Sequence, residues 1–116
     1  MRNKTRQRLL DALGSCRAVA RYTAGLDFAG YKSDDILRDA GERRPGIIGE
    51  ALSRAEDLEP DLIEQIPELR QIIGLRNRLI HGYDAVADVI VWATVQDELP
   101  PLAARLAIVL GEDDPG

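Results

Sequence analysis

Apolar residues return every three or four positions along most of this chain, in blocks separated by glycine, proline and acidic clusters. The first block covers residues 3–25, where Leu9, Leu10, Leu13, Val19 and Ala20 give an interrupted helical spacing. Gly14 lowers helix propensity there without ending the helix, and Gly25 is placed to terminate it, because positive φ costs glycine little. Ser33 or Asp34 is positioned to cap a short second helix whose Ile36, Leu37 and Ala40 would face a core. Pro45 removes an amide donor and clashes with the preceding turn, so a kink or a fresh helix start is expected near it. Beyond it Ile47, Ile48, Ala51, Leu52 and Ala55 form a stronger stripe, which "LEPD" ends because proline disfavours helical geometry just before itself.

A third major helix falls within residues 61–81, with Pro67 bending it or marking its effective start. Ile66, Leu69, Ile72, Ile73, Leu75, Leu79 and Ile80 fit a helical period better than alternation. "GYDAVAD" reads as a turn or loop. The last helix is expected over 88–109, bent at "LPPL", with Val89, Trp92, Val95, Leu99, Leu102, Leu106 and Val109 facing either the core or a second copy. "GEDDPG" reads as an exposed tail. With no strand-rich tract, repeat or long linker, the pattern predicts an all-α fold: a compact antiparallel helical bundle with four main helices and short connecting helical segments. A chain of 116 residues fits one domain, expected over 1–110, with 111–116 as a short flexible acidic tail.

Composition sharpens this picture in three ways. Aromatic residues make up only 4% of the chain, so the core must be built from Leu, Ile, Val and Ala. Fifteen Lys and Arg against 20 Asp and Glu give a formal charge of −5, which argues against a broad nucleic-acid footprint but not against a local basic cleft. Cys16, the one cysteine, has no intrachain disulfide partner and reads as a small core residue. No stretch approaches the roughly 18 apolar residues of a membrane span, and Asp11 interrupts the basic N-terminal segment, so the cytoplasm is the expected compartment. There is no glycine-rich phosphate loop and no paired Cys/His spacing for zinc, so no cofactor is expected.

Candidate chemistry concentrates in "RNRLIHGY", residues 76–83. At 100° per residue Arg76 falls near the middle of the stripe formed by Leu69, Ile72, Ile73 and Ile80. A buried guanidinium needs a carboxylate, a phosphate or a wet intersubunit cleft, so Arg76 is either one half of a structural ion pair or a functional group. Arg78 points about 160° away and reads as solvated. His81 lies four residues after Asn77 and can share a face with it. It is either a proton-transfer group or a helix C-terminal cation. Tyr83 follows Gly82, which can release the chain from helical geometry, and its hydroxyl could turn toward His81 and Arg76 or be satisfied in a core. Elsewhere, Glu50 is a candidate partner for Arg76 across helices or a surface residue. Asp84 reads as a turn-setting group, and Trp92 as a packing anchor. Arg43 and Arg44 would add a local basic patch if the fold brings them close to the motif.

"RNRLIHGY" resembles the R-x4-H-x-Y motif of the HepT-like toxins, the DUF86 family within the HEPN group, with the match on Arg76, His81 and Tyr83. Asn77 fits the family's common arginine-asparagine opening. The resemblance extends upstream through "YTAGLDFAGY" and "IIGEA" and downstream through "VWATVQDELPPL", so it covers nearly the whole chain. Two features depart from the family pattern: "LRDAGERRPG", with Pro45 and Gly46, stands where the usual connection is longer and charged, and Asp84 replaces a common aromatic.

The resemblance implies a compact all-helical homodimer acting as a metal-independent endoribonuclease, the toxin of a type VII toxin–antitoxin pair. It implies Arg76 and His81 as RNase residues, with Tyr83 as third site residue and AMP acceptor. The implied partner is an MNT-type nucleotidyltransferase antitoxin that silences the toxin by AMPylation. Asn77 and Glu50 are supporting candidates. Two alternatives stay open. One is a catalytically weak or inactive helical module that binds the nucleotidyltransferase or a nucleotide. The other is a scaffolding dimer outside toxin biology.

Overall fold

The computed structural model describes residues 1–80 and 88–111, with the backbone alone described at residues 42 and 76–80. Its helices are α1 (Asn3–Thr23), α2 (Phe28–Lys32), α3 (Asp35–Leu58), α4 (Leu62–Gln65), α5 (Leu69–Ile80), α6 (Asp88–Ala93) and α7 (Leu99–Leu110), with a π-helical turn over Thr94–Glu98. Among the described residues every regular element is helical, as the periodicity predicts. Of the tail expected over 111–116, Gly111 caps α7 and residues 112–116 lie outside the described residues; of the turn expected over 82–88, Asp88 instead begins α6 and residues 82–87 lie outside them.

The long helix α3 packs against α1 on one side and α5 on the other, and α7 packs on α1. Contacts between opposite helix ends set the directions. The Arg2 amide donates to Glu59 Oε1 at 2.7 Å, tying the start of α1 to the end of α3. Arg6 Nη1 donates to the Leu110 carbonyl at 3.0 Å, tying the start of α1 to the end of α7. Arg70 meets Glu56 at 3.4 Å, so α5 begins where α3 ends. Each long helix is therefore antiparallel to its neighbour. The shared core comprises Leu9, Leu13 and Cys16 of α1, Ile48, Leu52 and Ala55 of α3, Leu69 and Ile72 of α5, and Leu102 and Leu106 of α7, among others.

Local signals set most helix ends. Gly25 stands just beyond α1 at φ 76°, and Gly111 closes α7 at φ 70°, where its amide donates to the Ala107 and Ile108 carbonyls. Of the two candidate caps, Asp34 is the one used: its Oδ1 accepts from the amides of Ile36 and Leu37 at 3.0 and 3.2 Å. Pro67 lies in the break between α4 and α5. "LPPL", where a bend is expected, forms the first turn of α7, and the π-helical turn stands just before it, with the Leu99 amide reaching back to the Thr94 carbonyl. Pro100 and Pro101 lack the amides that would complete an ordinary ladder, and the wider turn before them keeps their rings clear of the preceding carbonyls.

The structure corrects four expectations. Helix α3 runs unbroken through a buried Pro45, so no fresh start occurs there. That continuity fixes the phase of the first turns: Ile36 lies twelve residues before Ile48, which on a continuous helix places it about 120° off the stripe. Ile36 is accordingly 80% exposed rather than facing the core. Val89, expected in the final stripe, is 54% exposed, and Ala20 is exposed at the edge of an open groove between α1 and α7.

Helices α2 and α6 are fixed to α3 by one wedge. Tyr31 is fully buried, and its ring lies 5.0 Å from that of Trp92, centroid to centroid, tilted by 31°. The phenol end occupies the space where any side chain at Gly41 would begin. Gly41→Ala is therefore expected to destabilise the fold by about 1–3 kcal/mol through overpacking. Gly14→Ala, where an added methyl meets nothing within 4 Å, should be neutral or stabilising. Denaturant unfolding followed by the fluorescence of Trp92, the single tryptophan, measures both.

Candidate functional site

The motif begins on α5. Leu69, Ile72 and Leu75 are buried, and Ile73 is partly buried, on the stripe where the sequence pattern put Arg76. The exposed flank carries Arg70, Gln71 and Gly74. Arg76 and Asn77 stand in the helical backbone of α5, their side chains outside those described, as is that of Arg78. His81, Tyr83 and Asp84 also lie outside the described residues.

The surroundings of that end of α5 are described. Asp88, the first residue of α6, has a carboxylate 3.9 Å from the Arg38 guanidinium. Arg38 is also ion-paired and hydrogen-bonded to Asp35, and that hydrogen bond above all raises its pKa. The two carboxylates thus hold the start of α6 beside the first turns of α3. Trp92, on Tyr31, holds the rest of α6, as its expected anchoring role requires. A cavity of about 630 Å3 lies between the outer flank of α5 and α6 with its π turn, lined by Gln71, Gly74, Leu75, Val89, Ile90 and Thr94 among others. Val89 and Ile90 give it an exposed apolar rim.

Glu50 lies on α3, in a groove it shares with residues of α1, and its Oε1 accepts from Arg54 Nε at 2.8 Å. Arg43 and Arg44 line the same groove. Two features escaped the sequence reading. Asp35 and Arg38 have the spacing of a helical ion pair, so that half was available in the pattern. The Arg38–Asp88 approach joins positions 50 residues apart, and no local signal marks it.

The family comparison bears on these positions together. A family model described as Ribonuclease HepT-like matches residues 12–109, which takes in the whole motif. This chain belongs to the HepT-like ribonuclease family. An RNase-named protein of Methanocaldococcus jannaschii is 30% identical over 103 residues, covering 87% of this chain and 92% of the relative. An RNase-named protein of Caldanaerobacter subterraneus subsp. tengcongensis is 29% identical over 101 residues, covering 87% and 89%. A Thermococcus cleftensis protein named for ribonuclease HepT is 26% identical over 107 residues, covering 90% and 94%. No solved structure matches the chain. Membership places it among the RNA-cleaving enzymes as a class and within the HepT-like toxin family.

Among the described residues no group of three or more His, Cys, Asp or Glu is arranged to hold a metal ion, and no helix is long and apolar enough to cross a membrane. Cys16 is not a ready nucleophile in this HepT-like protein. It is 2% exposed, and burial pushes its thiol up to about 12 against the opposing pull of Arg17. The consequence for stability has a definite sign. Above pH ~9 the unfolded chain releases a thiol proton that the folded chain retains, so stability falls as pH rises from there toward 12. Wild type is expected to lose up to about 1.4 kcal/mol per pH unit more than Cys16→Ala over pH 9–11. Unfolding titrations of the two proteins measure this, and a thiol reagent at pH 8 should leave folded Cys16 unmodified.

Proposed function

We propose that the protein is a metal-independent endoribonuclease toxin in which Arg76, His81 and Tyr83 form the site. The observation that carries the reading is the family match across residues 12–109, which contains all three. RNA brings its own nucleophile, the 2′-hydroxyl. His81 removes that proton or protonates the leaving 5′-oxygen, with a second copy's His81 supplying the complementary role. Arg76 binds the scissile phosphate and stabilises its developing charge. Tyr83 orients phosphate or ribose through its hydroxyl. The product then carries a 2′,3′-cyclic phosphate.

Asn77, four residues before His81, holds the imidazole in place. Glu50 has a supporting role on α3, where it accepts from Arg54. The working unit is a homodimer in the cytoplasm, and the exposed Val89 and Ile90 beside the α5 groove offer apolar surface to a second copy. Control is exercised by an MNT-type nucleotidyltransferase antitoxin. The Tyr83 hydroxyl attacks the α-phosphate of ATP, a new phosphate ester forms, and pyrophosphate leaves. AMP at Tyr83 then fills the site with a phosphate of its own.

The test is cleavage of a defined single-stranded RNA in EDTA by wild type and His81→Ala, with the intact mass of each protein recorded. Wild type should cleave and leave cyclic-phosphate ends, and a folded His81→Ala should lose about 100-fold or more. Equal activity in the two proteins would remove His81 from the mechanism. No cleavage by wild type with an unmodified Tyr83 would make the chain an inactive partner module. Tyr83→Phe should fold and gain no AMP mass when incubated with the nucleotidyltransferase and ATP.

A further inference from the structure

The antiparallel packing of α1 on α3 leaves a furrow on the outside of the bundle. One stretch encloses about 860 Å3 and is lined by Arg8, Arg43, Arg44 and Arg54, among others. A second stretch of about 520 Å3 shares Arg8 and Arg54 and adds Lys4. The two adjoin at Arg8 and Arg54 along one furrow. Its lining holds five basic side chains against three acidic ones, in a chain whose acids outnumber its bases by 20 to 15. Gly14 and Gly46 line it with open space where a side chain would stand, so the floor is low between the arginines.

One end of this channel carries an aromatic. Tyr22 is 45% exposed, and the Arg44 guanidinium lies over its ring, 5.9 Å from the centroid. Arg44 is held there from α1, since its Nη1 donates to Ser15 Oγ at 3.4 Å. Arg43 and Arg8 are exposed, so their guanidinium groups meet solvent or a ligand. The aromatic end faces the candidate site's side of the bundle: Arg44 follows Arg38 by six residues, about 9 Å along α3, and Arg38 is the residue beside Asp88. From Arg44 to Arg54 the channel extends about 15 Å farther from that side.

A basic groove that ends in an exposed aromatic is the arrangement by which single-stranded nucleic acid is held without sequence preference. We infer that single-stranded RNA lies along the α1/α3 furrow, with backbone phosphates on Arg8, Arg43 and Arg44 and a base stacked on Tyr22. The inference rests on the ribonuclease reading for its ligand and assigns a path to the strand outside the motif. Arg54 contributes less, because Glu50 already accepts its hydrogen bond.

The test uses a 2′-O-methyl single-stranded oligonucleotide, which lacks the nucleophile and so reports binding alone. Its dissociation constant is measured by fluorescence anisotropy across a salt series. The proteins are wild type, Arg8→Ala/Arg43→Ala, Tyr22→Leu, and the charge-matched control Lys32→Ala/Arg105→Ala, whose two side chains line neither the furrow nor the α5/α6 cavity. The furrow variant is expected to bind about tenfold or more weakly, with a shallower log–log salt dependence by roughly 1 to 1.5. Tyr22→Leu should lose about fivefold or more, and the control less than twofold.

Three results would overturn the inference. Wild type could fail to bind, the furrow variants could match wild type, or the control could lose as much as they do. A furrow variant that binds RNA normally but no longer binds the nucleotidyltransferase or a second copy would mark a protein interface instead. Cleavage of ordinary RNA is scored in parallel on the same proteins. A wild type that cleaves while the furrow variants bind normally rejects the furrow alone. A wild type that binds through the furrow but cleaves nothing rejects the ribonuclease reading alone.

Discussion

Ile48, Leu52 and Ala55 have essentially no exposed surface, and they belong to the one helix that packs on both α1 and α5. Burial of that stripe is the constraint on which the other elements depend. Burying a side chain of this kind contributes roughly 1.5–3 kcal/mol, enough to keep a helix intact across a local defect. Pro45 is such a defect, since an interior proline costs about 3 kcal/mol and takes away the donor for the Gly41 carbonyl. Held from both sides, α3 continues through it. Tertiary packing here outweighs the local rule.

Continuity of α3 has consequences at the candidate site. It puts Gly41 in phase with the buried stripe, and the absent side chain there admits the phenol of Tyr31. Tyr31 in turn carries Trp92, and Trp92 holds α6. Asp88 is kept beside Arg38 by the same arrangement. The two helices that flank residues 81–87 in the chain are thus α5, fixed by its apolar stripe, and α6, fixed through Tyr31 and Arg38. A substitution at Gly41 touches no proposed catalytic group, yet it acts on the support of α6.

The bundle was largely legible in the sequence because its signals are local and mutually consistent. Gly25, Pro67 and the Pro100–Pro101 pair each mark a helix boundary by their own backbone chemistry, and Asp34 does so through its side-chain carboxylate. What failed depended on neighbours rather than on local preference. Ile36 looks like a core residue in a short helix, but in a long one its phase is set by Ile48, and it faces solvent. Val89 has the right spacing for the final stripe, yet the π turn between it and α7 interrupts the phase. The motif was legible by resemblance more than by physics. One arginine, one histidine and one tyrosine suit many purposes, and only their order and spacing within a nearly full-length match narrow them to RNA chemistry.

The basic furrow was the least legible feature, and the reason is geometric. Arg8 and Arg43 are far apart in sequence and meet only because α1 and α3 run antiparallel. The formal charge of −5 argued against a nucleic-acid footprint, but net charge is a sum over distances that solvent does not transmit. At physiological ionic strength exposed charges are largely screened beyond about 8 Å. A phosphate in the furrow responds to the five basic and three acidic side chains that line it. A chain whose net charge looks unsuited to RNA can therefore still present one locally basic face to it, because a phosphate reads the five basic side chains of the furrow and not the sum over the chain.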